Sequence, residues 1–190
     1  SIIFRNAVTE ARWGYASSYQ AGGILLENNA SSNCSFAYCL VENATTGLYS
    51  EVSVAINHCT FRNNQRYGIH FNDGSPKDSA SFLENTITGN GEYGIAIDPE
   101  GVGNLSGTGT VAGNTKGGIL IADGTVTENA IWRKHDASYV VNGKVTIRSE
   151  SGVSVTIRPG AHFLFANGAY MEVGYTNPGT LIAEGMESDS

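Results

Sequence analysis

The residues of this chain whose types could do chemistry together are Glu51, Asp73 and Asp98, with Tyr49, His70 and Asn72 among them and Arg66 close by. Carboxylates held one strand spacing apart repel each other, which favours a bound cation such as calcium or a raised pKa on one of them. Glu51 and Asp98 are therefore the candidate calcium ligands. An aromatic ring beside carboxylates also suits the face of a sugar ring, so Tyr49, His70, Asn72 and Asp98 are the candidate ligand-binding residues. A catalytic reading joins Glu51, Asp73 and Asp98 to Arg66. The competing reading is a solvated polar edge with no ligand.

These residues can meet only if something stacks them, and an internal repeat does so. Gly23-Ile24, Gly47-Leu48, Gly68-Ile69, Gly94-Ile95 and Gly118-Ile119 open five similar segments whose glycines are separated by 24, 21, 26 and 24 residues. Four residues before the last four glycines stand Asn43, Asn64, Asn90 and Asn114. Three residues before those lie the apolar Leu40, Phe61, Ile87 and Val111, each preceded by Cys39, Thr60, Thr86 or Thr110.

A unit this short cannot bury its own apolar face, so successive units must stack. Frequent glycine and asparagine and an alternation of period two exclude helical repeats. The leucine-rich pattern is absent, and propeller blades need about 40 residues. A parallel β-helix remains, each coil rising about 4.8 Å and pairing its backbone with the coils on either side. Ile24, Leu48, Ile69, Ile95 and Ile119 then form an inward aliphatic ladder, the glycines form corners, and the asparagines form an amide ladder at a turn. The next residues, Leu25, Tyr49, His70, Ala96 and Leu120, face outward. Two positions further, the outward column is Glu27, Glu51, Asn72, Asp98 and Ala122, which brings the acids beside His70 and Tyr49. Tyr67 and Tyr93 share a column as a packing stack. His58, His135 and His162 read as surface or turn residues, and Arg62 and Arg66 as surface ion-pair partners.

The N-x-x-x-G-I repeat over residues 33 to 123 resembles the right-handed parallel β-helix superfamily of secreted and surface proteins, which implies an all-β, single-stranded solenoid of about seven coils. Val155-Thr156-Ile157-Arg158-Pro159-Gly160 and Gly179-Thr180-Leu181-Ile182-Ala183-Glu184-Gly185 are similar to a module of bacterial surface β-helix proteins. One continuous domain over residues 1–190 is expected, with an irregular first coil at 1–32 and variant coils at 132–190. The longest insertion carries Trp13, Tyr15 and Tyr19. The resemblance further suggests one module of a longer or tandem solenoid whose coil edges can pair end to end.

The same resemblance brings polysaccharide lyases, hydrolases and epimerases into view. The N-T-D, D-D, G-H-G and R-I-K set of galacturonan hydrolases is absent; Asn85-Thr86-Ile87 matches two letters of the first. The calcium-assisted lyase it implies would be centred on Glu51, Asp73 and Asp98 with Arg66 as base.

Composition agrees with a stacked all-β chain. Of 190 residues, 24 are glycine and only 15% are charged, so a disordered tail and a helical bundle are both disfavoured. A net charge of -7 argues against a nucleic-acid partner, and no apolar run reaches the 18 or more residues of a membrane helix. Cys34, Cys39 and Cys59 fit no metal or redox spacing and read as buried free thiols, or as one disulfide with a thiol left over.

Three readings follow. The first is a non-catalytic, extracellular bacterial structural or adhesive module that contacts a polysaccharide or surface glycan through the Tyr49, His70 and Asp98 face and needs no cofactor. The second is a calcium-assisted lyase or hydrolase acting on acidic polysaccharide. The third is a pure structural scaffold.

Overall fold

A computed structural model describes residues 1–7, 13–16 and 21–186. Its largest sheet takes one strand from each of seven coils: Ile24–Leu26, Leu48–Ser50, Ile69–Phe71, Tyr93–Ile97, Gly117–Ile121, Tyr139–Val141 and Phe163–Phe165. Every pairing in it is parallel. This is the all-β solenoid that the repeat predicts, and the segments after Trp132 continue the same stack, since Tyr139–Val141 pairs with Gly117–Ile121.

The inward ladder is present in register: Ile24, Leu48, Ile69, Ile95 and Ile119 are successive partners. Leu48, Ile69, Ile95 and Ile119 are fully buried. Because the side-chain period of a strand is two, placing these residues inside places their neighbours outside. In the C-terminal coils the column turns aromatic. Tyr139 and Phe163 stack with ring centroids 4.8 Å apart, and Trp132 lies 5.8 Å from Phe163. Wider rings fill a core that aliphatic side chains fill in the earlier coils.

The other sides of the stack are shorter sheets. Ile2–Phe4, Cys39–Glu42, Thr60–Arg62 and Thr86–Thr88 form one, while Gly124–Val126, Lys144–Ile147 and Tyr170–Val173 form another on the later coils. Ala130–Trp132, Ser154–Ile157 and Thr180–Ala183 make a third. Among the described strands one pair is antiparallel, Tyr15–Ala16 with Ala21–Gly22, inside the insertion of the first 32 residues. Tyr19 lies outside the described residues. No helix among the described residues is long and apolar enough to cross a membrane.

The corner glycines are required by contact. A Cβ on Gly94 would lie 2.7 Å from both Nδ2 of Asn114 and Cγ1 of Val111. Those are the amide ladder and the core, and neither can retreat.

The amide ladder itself is shifted by one residue in one coil. Nδ2 of Asn64 donates to Oδ1 of Asn90 at 2.9 Å, and Nδ2 of Asn90 donates to Oδ1 of Asn114 at 2.8 Å. In the coil before them the ladder position belongs to Ala44, whose backbone N–H donates to Oδ1 of Asn64 at 2.9 Å. Asn43 instead has φ 59, in a column with Asn63 at φ 54 and Gly89 at φ 67. The same shift makes Val41, not Leu40, the partner of Phe61. The cause is a corner one residue shorter between Ala44 and Gly47 than between Asn64 and Gly68. Trp13 closes the open end of this column: it bridges to Ala44, and its Nε1 donates to the Glu42 carbonyl at 2.8 Å.

The three cysteines are free thiols. Cys39 and Cys59 stack directly, with the Cys39 N–H donating to Sγ of Cys59 at 3.4 Å and the Cys59 N–H donating to Oδ1 of Asn85 at 2.9 Å. Both side chains point into the core.

Candidate functional site

Leu25, Tyr49, His70, Ala96 and Leu120 are in register, but Tyr49 and Ala96 are buried rather than solvent-facing, and the candidate residues divide between the two ends of the central strands. At the start of the strand, Tyr49 pairs in register with His70 and then Ala96. The His70 ring lies 5.2 Å from Tyr49 and 5.0 Å from Tyr67. Tyr67 thus packs on His70 and lies under the guanidinium of Arg66, 5.1 Å from its ring. Arg66 is tied at 3.2 Å to Glu92, which also holds Lys116 at 3.3 Å. Burial, helped by the nearby Arg66 charge, pushes the His70 pKa down to about 4, so it is neutral at pH 7. Tyr49 is only 3% exposed, its hydroxyl donates to Oε1 of Glu51 at 3.2 Å, and burial with that bond pushes its pKa up to about 12. A side chain this enclosed offers no ring face to a ligand.

At the far end of the strand stands the acid corner. Oδ2 of Asp98 accepts the backbone N–H of Asp73 at 3.0 Å. Burial raises the Asp98 pKa, and the Asp73 charge adds to the rise against the lowering effect of that hydrogen bond. Glu51 turns elsewhere, with its Oε2 accepting the Asn28 N–H at 3.0 Å. Asn72 continues the coil pairing by donating its N–H to the Ser50 carbonyl at 2.9 Å. Of the residues singled out by sequence, the fold therefore joins Asp73 to Asp98, Tyr49 to Glu51 and His70, and Arg66 to Glu92. Among the described residues no group of three or more His, Cys, Asp or Glu side chains is arranged to hold a metal ion.

Beside the acid corner runs a groove of about 730 Å³, and most of its lining escaped the repeat columns. Asp73 and Asp98 open it, Glu100 and Asn104 come from the 3-10 segment Pro99–Asn104, and Asp123, Glu128 and Arg133 continue it over the next coil. Pro99, two residues past the end of the Tyr93–Ile97 strand, is the signal that marks this excursion, since proline cannot continue the hydrogen-bond ladder. The wall is held firmly. Nδ2 of Asn104 donates to the Pro76 carbonyl at 2.9 Å, and Nη1 of Arg133 donates to the Gly103 carbonyl at 2.8 Å. A Cβ on Gly124 would come within 2.9 Å of the Pro99 ring. Glu100 accepts from the N–H and the hydroxyl of Thr127 at 2.8 and 2.9 Å. The groove thus crosses successive coils and presents carboxylates, amides and hydroxyls to anything lying along the stack. Thr125 links it to a second depression lined by Thr127, Arg148, Ser149, Glu150, Ser151 and Asn177.

Seven parallel coils with inward aliphatic and amide ladders define a β-solenoid. The family described as right handed beta helix region matches residues 2–103, more than half of the chain, and the protein belongs to that family. No curated protein and no solved structure gives a significant match.

Proposed function

We propose that this chain is a non-catalytic, extracellular binding and structural module that holds a glycan in the groove between Asp73 and Arg133. The observation that carries this reading is the groove itself: it runs across coils, its walls are braced by backbone contacts, and it is lined by groups that hydrogen-bond sugar hydroxyls. The extracellular assignment rests on the likeness of the C-terminal Pro159-Gly160 segment to modules of bacterial surface proteins. Arg66, the candidate base, pairs with Glu92 at the other end of the strand from Asp98, which leaves the acid corner without it. Calorimetry with neutral oligosaccharides is expected to detect binding that Glu128→Ala and Asp73→Ala each weaken by about tenfold, the worth of one hydrogen bond to a charged group. Unchanged affinity in both variants would overturn the groove as the site.

One observation favours a second reading, a hydrolase or lyase acting on polysaccharide. Asp98, a carboxyl whose pKa burial raises, lies beside a second carboxyl side chain, Asp73, in a concave site. Product release from a pectin, alginate and glycosaminoglycan panel, with and without EDTA and lost in Asp98→Asn, would select this reading over the first.

A further inference from the structure

The dipeptide Asn-Gly occurs three times, at Asn90-Gly91, Asn142-Gly143 and Asn167-Gly168, and the fold gives each a different surrounding. Such a pair is chemically labile because glycine has no side chain to shield its backbone nitrogen or restrict its approach. Once that nitrogen loses its proton, it attacks Cγ of the preceding asparagine.

Asn90 is held against this reaction. It is fully buried, and its Nδ2, the leaving group, donates to Oδ1 of Asn114 at 2.8 Å and to the Phe61 carbonyl at 3.2 Å. The attacking nitrogen of Gly91 is engaged too, donating to the Asn64 carbonyl at 2.9 Å. Asn142-Gly143 is pinned on both sides: the Asn142 N–H donates to the Ile121 carbonyl at 3.0 Å, and the Gly143 carbonyl accepts from the Tyr170 N–H at 3.1 Å. A Cβ on Gly143 would lie 3.3 Å from Oδ2 of Asp123, a charge that disfavours loss of the amide proton.

Asn167 and Gly168 have none of these restraints. They are the exposed central residues of a turn closed by the Ala169 N–H on the Ala166 carbonyl at 3.0 Å. Gly168 has φ 78, and a Cβ on it would meet nothing within 4 Å. Among the described residues no hydrogen bond holds the Asn167 amide or the Gly168 N–H.

We propose that Asn167 is a site of spontaneous covalent modification, with water as the only co-reactant, whose isoaspartate product loosens the strand Tyr170–Val173. The Gly168 nitrogen bonds to Cγ of Asn167, the bond from Cγ to Nδ2 breaks, and Nδ2 leaves as ammonia with the proton that Gly168 gave up. The succinimide so formed takes up water. Opening at Cγ gives aspartate, and opening at the backbone carbonyl gives isoaspartate, whose main chain runs through Cβ and Cγ. That lengthens by one atom the corner between Phe163–Phe165 and Tyr170–Val173, across which the Tyr170 N–H must still reach Gly143. This coil is thinly covered. Phe165 and Val173 are 50% and 41% exposed, whereas their partners on the preceding coil, Val141 and Ile147, are fully buried.

The test is peptide mapping of the whole chain during incubation at mildly alkaline pH. Asn167 should convert at least about tenfold faster than Asn90 or Asn142, each of which must first give up native hydrogen bonds. In urea the three should convert at similar rates, and a difference that persists there overturns the structural assignment. Asn167→Gln, whose longer side chain closes the ring far more slowly, should remove the fast conversion. The purified isoaspartate form should lose hydrogen-exchange protection over Tyr170–Val173, while Asn167→Asp, with the charge on a normal main chain, should keep it. Native conversion of Asn90 or Asn142 as fast as that of Asn167, or a stable Asn167, overturns the site. Full protection in the isoaspartate form overturns the loosening of the strand.

Discussion

The backbone N–H of Asp73 donates to Oδ2 of Asp98 at 3.0 Å, so two acids from successive coils meet at one corner of the stack. The bond favours the ionised Asp98, whereas burial and the Asp73 carboxylate oppose it more strongly and raise its pKa. A carboxyl whose pKa is raised by folding costs nothing below the unfolded pKa, where both states hold the proton, and lowers stability progressively as pH rises through the folded one.

Asp98→Asn keeps an acceptor for the Asp73 N–H and removes the repulsion. The melting temperature at pH 7 is expected to rise by about 2 °C, with no gain below the usual carboxylate range. A fall in melting temperature at pH 7 would show that the charge at this corner stabilises the fold.

Asn90 occupies the middle of the amide ladder. Besides its bond to Asn114, its Nδ2 reaches the Phe61 carbonyl at 3.2 Å, and its Oδ1 accepts from both the backbone and the side chain of Asn64. Asn90→Ala strips these bonds and leaves buried donors and acceptors unpaired on two coils. Urea unfolding should register a loss of about 3 kcal/mol. A loss below about 1 kcal/mol would mean that water replaces the amide.

His135 is buried against Tyr139, with ring centroids 5.6 Å apart, and burial pushes its pKa down to about 4, as it does for His70. A histidine whose pKa is lowered by folding contributes stability that is full above the unfolded value of about 6.5 and lost as pH falls towards 4. Unfolding free energy should therefore decline across that window. In His135→Gln the decline should be shallower, and an unchanged slope would remove His135 as a source of the acid sensitivity.

Burial pushes the Cys59 thiol up to about 11, and Cys39 and Cys59 both sit in the core while Cys34 is partly exposed. Titration of the native protein with an aromatic disulfide reagent should modify Cys34 first and Cys59 at least about a hundredfold more slowly, because the thiolate is the reacting form. All three should react at comparable rates in denaturant. Fast labelling of Cys59 in the native state would mean that the coil carrying it opens readily.

The fold was largely legible in the sequence. The Gly-Ile spacing located the inward ladder, and Ile69 and Ile95 stand where period two puts them. The site was legible only in part. Asp98 and Asp73 do meet, but Glu51 pairs with Tyr49 and Arg66 with Glu92, because which outward residues touch depends on strand ends and corner lengths that the repeat leaves open. Asp123, Glu128 and Arg133 belong to no column, so no periodicity pointed to the groove they line.

By itself, then, the amino-acid sequence determined that the chain is a parallel β-solenoid and which face of each strand is inside, because alternation along a strand is a local property with a rigid period. Only the tertiary structure decided the lateral neighbours: that Ala44 and not Asn43 faces Asn64, that Asp73 and Asp98 lie at the opposite strand end from Arg66, and that the Pro99–Asn104 excursion walls a groove running on to Arg133. Those contacts depend on hydrogen-bond register between coils, and a corner longer or shorter by one residue changes that register while leaving the inward pattern intact.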